Sequence, residues 1–292
     1  MSAAVRVTGP GTHRVFSVSS GRVVQADPVG RTRSTSSKVP AVTRSFWIVT
    51  ILSTTVGESM ADVLNGKLGL GLAATALLVW AVLGATLVVQ MSLRSYVPGM
   101  YWLTVALMSI VAASVTGLLT DDLEIPLPAT VSFFGLALLA VLLIWYLIDY
   151  DLSVGNITTP RREAFYWLAV AVTSALGTAA GELVAEATGF GSLASALVFI
   201  AAMCLVGAVH DVVESSRVLT FWIAYVLTRP LGASLGDLLS GNRGVGGPQL
   251  GAMATSVIVA IVVGALVACS PTRRPDRSYA KGFDTCAQGF DA

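Results

Sequence analysis

Eight apolar stretches, each about as long as a bilayer is thick, follow one another along the chain with short polar breaks between them. They fall near residues 45–64, 70–91, 100–119, 128–148, 164–184, 191–209, 218–239 and 249–269. A helix rising 1.5 Å per residue needs about 20 such residues to cross roughly 30 Å of hydrocarbon, so the pattern predicts eight membrane-spanning helices. Strands of a membrane barrel would alternate apolar and polar positions, and these runs do not. Open strands are excluded as well, because lipid cannot satisfy their backbone groups. The expected class is an all-α polytopic membrane protein whose first partner is the lipid bilayer. Composition points the same way: 54% of the 292 residues are hydrophobic and 12% are charged, far from the balance of a soluble domain.

The flanks read differently. Residues 1–37 are rich in Ser, Thr, Gly and Arg and hold one acid, Asp27, a composition that predicts a disordered tail. Residues 38–270 form the membrane domain, and 271–292 a second polar tail. No apolar run precedes residue 45, so the first segment is not a secretory signal. Its acid-poor, Arg-rich character also fits a transit peptide, but an inside-facing positive arm accounts for it more simply. Fifteen of the eighteen Lys and Arg fall on one side of the eight-span topology, two (Lys67 and Arg243) on the other, and Arg229 within a span. Positive residues collect on the side that is not translocated, which places both termini in the cytoplasm. A net charge of +1 gives no case for nucleic acid. Cys204 and Cys269 lie in spans, Cys286 in the tail, and no CxxC motif or histidine cluster is present. No cofactor is expected.

The chain also repeats itself. FWIVTILSTTVGESMADVL from Phe46, YWLTVALMSIVAASVTGLL from Tyr101, YWLAVAVTSALGTAAGELV from Tyr166 and FWIAYVLTRPLGASLGDLL from Phe221 each open on an aromatic followed by Trp. The tryptophans, Trp47, Trp102, Trp167 and Trp222, are 55, 65 and 55 residues apart. Eight of nineteen residues are identical between the first and fourth stretches without a gap, more than shared apolarity explains. An amphipathic indole is comfortable at the membrane surface, so the four Trp are expected at the cytoplasmic interface.

These residues resemble a bacterial family of uncharacterised membrane-anchored proteins built from four tandem copies of a two-helix repeat with a signature tryptophan. The FWI, GES-AD, RREAFYW, GTAAGEL and FWIAYVLTRPLGASLGDLL stretches carry the resemblance, over about residues 38–270. It implies repeats near 38–95, 96–155, 160–215 and 216–270 and a bacterial inner membrane, and it implies no reaction. Members often carry an acid where the second repeat here has Gly117.

Units of two helices enter the membrane in the same sense and are related by an axis along its normal, so aligned residues share a depth. Asp62, Glu182 and Asp237 occupy one aligned position, about 24 Å along the helix from the leading aromatic. Glu58 lies one turn deeper on the face of Asp62, and Gly117 leaves a gap in the second copy. Just before the acids run pairs of small residues, Gly57 with Ala61, Gly177 with Gly181 and Gly232 with Gly236. Such pairs let membrane helices approach closely, so the odd-numbered helices are expected to pack centrally and to turn the acids inward. Arg229 aligns with Thr54, one turn below Glu58, and the expected arrangement is a buried Glu58–Arg229 ion pair. Pro230 follows, and is expected to kink the seventh helix.

Two familiar motifs do not hold up. Gly232-Ala-Ser234-Leu-Gly236 matches GxSxG but lies inside a span, with His210 on the opposite side. Gly69-Leu-Gly71-Leu-Ala-Ala74 has no strand before it. With no nucleophile beside a base, the chain is not expected to be an enzyme. Two classes remain: a transporter whose carboxylates Glu58, Asp62, Glu182 and Asp237 handle a proton or small cation, and a scaffold or accessory subunit whose acids and Arg229 are structural. Intramembrane acids commonly mark ion paths, which favours the first.

Overall fold

The computed structural model describes residues 3–9, 12–19, 22–25, 37–67, 72–93, 95–189, 191–213, 217–241 and 250–269. It divides the chain into two units, Met1–Ser36 and Ser37–Ala292. In the first unit β1 (Ala3–Gly9), β2 (Thr12–Ser19) and β3 (Arg22–Gln25) pair antiparallel in the order β1-β2-β3. Of residues 1–37, expected to form a disordered tail, 3–9, 12–19, 22–25 and 37 are described. Val5, Val7, Val15 and Val18 are β-branched and suit a strand. The tail 271–292 and Arg243 lie outside the described residues.

The second unit is helical: α1 (Arg44–Lys67), α2 (Leu72–Ser92), α3 (Pro98–Gly117), α4 (Leu127–Asp149), α5 (Pro160–Thr188), α6 (Gly191–Val213), α7 (Arg217–Ser240) and α8 (Ala252–Cys269). Pro98 and Pro160 open α3 and α5 at positions where no backbone donor is lost. The first turn of α5 is capped by Thr159, whose hydroxyl accepts from the Arg162 backbone N–H at 3.3 Å. Among the described residues six helices, α3 to α8, are long and apolar enough to cross a membrane, and the apolar part of α2, Ala76–Ser92, is shorter. This is a multi-pass integral membrane protein by the length and composition of its helices.

The odd helices pack on one another in cyclic order, α1 on α3, α3 on α5, α5 on α7 and α7 on α1. Each even helix lies mainly against the odd helix that follows it: α2 on α3, α4 on α5, α6 on α7, and α8 against α1. Small residues make the central contacts close. A Cβ placed on Gly57 would lie 2.3 Å from the Cβ of Ser109, one on Gly177 2.2 Å from that of Arg229, and one on Gly232 2.6 Å from that of Thr54. On α3 the aligned residue is Ala112, buried with Ala175 of α5.

The centre is rich in hydroxyls, several of them satisfied within their own helices. Thr50, Thr54, Ser109, Ser114 and Ser174 each donate to the carbonyl four residues back. At the starts of the odd helices the leading aromatic of each stretch packs on the Trp of the next. Ring centroids are 5.7 Å apart for Phe46–Trp102, 5.4 Å for Tyr101–Trp167, 6.4 Å for Tyr166–Trp222 and 5.6 Å for Phe221–Trp47. Trp102, Trp167 and Trp222 are buried and Trp47 packs against the same cluster, because every indole has an aromatic ring of the neighbouring odd helix to face.

Candidate functional site

Counting eight residues from each leading aromatic gives Thr54 on α1, Ser109 on α3, Ser174 on α5 and Arg229 on α7. Three hydroxyls and one guanidinium thus stand at one level of the bundle. Arg229 is fully buried, at 0% exposure. Its Nη1 donates to Thr54 Oγ1 at 3.0 Å and to Ser109 Oγ at 3.1 Å, and its Nη2 to the Tyr225 hydroxyl at 2.8 Å. The Cζ lies 5.0 Å from the centroid of the Tyr225 ring, within cation–π range. The Tyr166 hydroxyl lies between those of Tyr225 and Tyr101, 2.5 Å from the latter. Five side chains, Thr54 on α1, Tyr101 and Ser109 on α3, Tyr166 on α5 and Tyr225 on α7 itself, therefore converge with the guanidinium in one polar core.

The expected Glu58–Arg229 ion pair is not formed. The three ion pairs among the described residues are Lys38–Glu163, Arg161–Asp149 and Arg162–Asp151, all near the starts of the odd helices. The reason is directional. Side chains lean toward the start of their own helix, so Arg229 folds back onto Tyr225, one turn earlier. Glu58 sits further along: its Cβ is 3.0 Å from a Cβ placed on Gly236, seven residues and about 10 Å beyond Arg229 on α7. Glu58 is itself buried, at 5% exposure. Pro230 continues within α7, its ring Cδ 2.9 Å from a Cβ placed on Gly177. Gly181 packs beside the same proline, and Ala61 is buried with Val79 and Ile110.

At the far ends of the odd helices the acids separate into two openings. Glu182 and Asp237 line a cleft of about 570 Å³ together with Asp121, Glu124 and Glu186. Asp62 lines a different one, of about 750 Å³, against Leu250 to Val257 at the start of α8. The aligned acids therefore do not all converge, because α8 packs over the Asp62 side of α1. The gap at Gly117 is partly filled: the chain makes a π turn over Leu118–Asp122, which brings Asp121 Oδ2 to 3.7 Å from a Cβ placed on Gly117. Asp121 is thus a site residue that linear alignment overlooks. Its only sequence signal is an acid one turn after the missing one. Among the described residues no three His, Cys, Asp or Glu groups stand close enough to hold a metal ion. Ser234, the serine of the GxSxG match, donates to Ser195 at 2.7 Å, and Ser195 to the Gly181 carbonyl at 3.0 Å.

The family described as Repeat of Unknown Function (DUF347) matches three times, at residues 45–96, 165–215 and 220–270, together more than half of the chain. The chain belongs to this repeat family. Each DUF347 match spans an odd helix and the even helix after it. Residues 97–164, with Gly117 and the π turn, fall between the first DUF347 match and the second. No curated protein and no solved structure matches the chain.

Proposed function

We propose that this protein is a transporter, not an enzyme, which carries a proton or small cation across the bacterial inner membrane on intramembrane carboxylates. In this reading it consists of four two-helix units around an axis along the membrane normal, with eight spans and both termini cytoplasmic. The cyclic aromatic pairs, in which α3 takes part on the same terms as α1, α5 and α7, support the four units.

The observation that carries the transport reading is Glu58, a carboxyl buried in the packed centre of the bundle. An acid at that position is costly in an apolar span and is retained where it takes part in ion movement. Glu182, Asp237 and Asp121, gathered in one outer cleft, would draw cations or protons toward it. The spacing of the acids favours a proton over a directly ligated metal ion. Tight glycine contacts between the odd helices favour a second reading, a scaffold whose buried charges fix helix partners.

Proteoliposomes containing a pH-sensitive dye decide between them. Transport predicts a proton or cation flux driven by an imposed gradient and abolished by Glu58→Gln. A flux equal to that of protein-free liposomes, for protons and for a panel of monovalent and divalent cations, removes the transporter reading.

A further inference from the structure

The polar core around Arg229 has a chemistry of its own. A guanidinium with no carboxylate in ion-pair contact among the described residues is surrounded by Thr54, Ser109 and Tyr225, all hydroxyls. Its Nε, buried as well, has no hydrogen-bond partner. Hydroxyls can turn. Thr54 and Ser109 accept from Arg229 while donating to backbone carbonyls in their own helices, and rotation about Cα–Cβ or C–O bonds would redirect those donors. The set is then one planar cation and several O–H donors from α1, α3 and α7, which is the donor pattern that recognises an oxyanion.

We propose that Arg229, with Thr54, Ser109 and Tyr225, binds a compact monovalent oxyanion of the carboxylate or nitrate kind. A single guanidinium offsets a single negative charge, and Glu58 in the same bundle disfavours a second. The site also bears on transport, in a step that rests on Glu58 being the proton carrier. With Glu58 ionised and Arg229 charged the centre is neutral. An anion alone leaves it negative and a proton alone leaves it positive, whereas both together keep it neutral. Anion and proton therefore favour each other's binding. Charges about 10 Å apart at an effective dielectric of about 20 couple on the order of tenfold.

The ionisable groups on α1 and on the helices packed against it are few: α1 itself carries Arg44, Asp62 and Lys67, α7 carries Arg217, Tyr225, Arg229 and Asp237, α3 carries Tyr101, α8 carries Cys269 at its far end, and α2 carries none.

The test uses the full-length protein in nanodiscs, titrated with sodium nitrate, acetate, chloride and sulfate at constant ionic strength balanced by bulky gluconate, with thermal stability and tryptophan fluorescence as readouts. Nitrate or acetate should raise the melting temperature saturably, and sulfate should not. Thr54→Val and Tyr225→Phe keep the charge and should weaken binding about tenfold, and Arg229→Lys should remove it. Glu58→Gln, which mimics the protonated acid, should tighten binding about tenfold. Absence of saturable stabilisation by nitrate and acetate in the wild type overturns the site, as does wild-type affinity in both Thr54→Val and Tyr225→Phe. Unchanged or weaker binding in Glu58→Gln overturns the coupling. The transport reading fails separately: anion binding that vanishes in Arg229→Lys, found in a protein that conducts nothing in liposomes, supports the anion site and sinks only the flux.

Discussion

The odd and the even helices are apolar runs of similar length, yet they live in different surroundings. Half of the span is buried in α5 and α7 and 44% in α3, against 17% in α4 and α8 and 22% in α6. The odd helices spend their small residues and hydroxyls on one another. The even helices turn large apolar side chains outward, such as Leu77 and Val88 on α2, Leu136 and Leu139 on α4, Leu197 and Leu205 on α6, and Ile258 and Ile261 on α8. This inverts the layout of a soluble domain. Lipid is as apolar as leucine, so burying leucine between helices gains little, and close packing with hydrogen bonds decides which helices go to the centre.

Glycine gives the sharpest contrast. Gly57, Gly177 and Gly232 on odd helices each have a neighbour so near that an added Cβ would sit under 3.0 Å away. Gly84, Gly135, Gly207 and Gly264, one on each even helix, have nothing within 4 Å. Gly177→Val should therefore destabilise by about 3 kcal/mol, the upper range for overpacking, with loss of a monodisperse peak in size-exclusion chromatography. Gly207→Val should stay within about 0.5 kcal/mol. Equal effects at the two positions would mean that the odd helices do not form the packed centre.

The same contrast explains what could be read from the chain and what could not. Helix number and the small-residue stripe are periodic features, and periodicity survives in a linear text. The inward turn of Trp102, Trp167 and Trp222 does not, because it depends on consecutive odd helices meeting, so that Phe46 faces Trp102, Tyr101 faces Trp167 and Tyr166 faces Trp222. Nor does the partner of Arg229: alignment put it level with Thr54, which it does contact, but the lean of its side chain toward Tyr225 took it away from Glu58. Asp121 was hidden by a π turn, whose extra residue breaks the register that an ungapped alignment assumes.

A smaller effect separates the two sets of tyrosines. Tyr166, on α5, is fully buried with its hydroxyl between those of Tyr101 and Tyr225. Tyr146, on α4, is 48% exposed. Tyr166→Phe removes the middle of the chain and leaves a buried hydroxyl short of a partner, so it should cost about 2 kcal/mol. Tyr146→Phe should be indistinguishable from wild type in the same thermal melts. A silent Tyr166→Phe would show that the phenols are only filling space.

The smallest effect concerns the charges inside the odd helices. Had Glu58 and Arg229 touched, removal of either one would leave an orphaned buried charge, and the double variant would recover most of a loss of about 3 to 5 kcal/mol. Their backbones are offset by roughly 10 Å along the bundle, and charges that far apart keep only the through-space term, about 1.5 kcal/mol at an effective dielectric of about 20. In a double-mutant cycle of Glu58→Gln and Arg229→Gln, read by thermal melting at fixed pH, the two losses should come close to adding, with a coupling no larger than that. Because both groups are buried, the coupling should also change little between low and high salt, unlike a surface pair. A coupling of 3 kcal/mol or more would mean that the two side chains meet in solution, and the hydroxyl shell of Arg229 would then be one of two arrangements in which the centre of the bundle can rest.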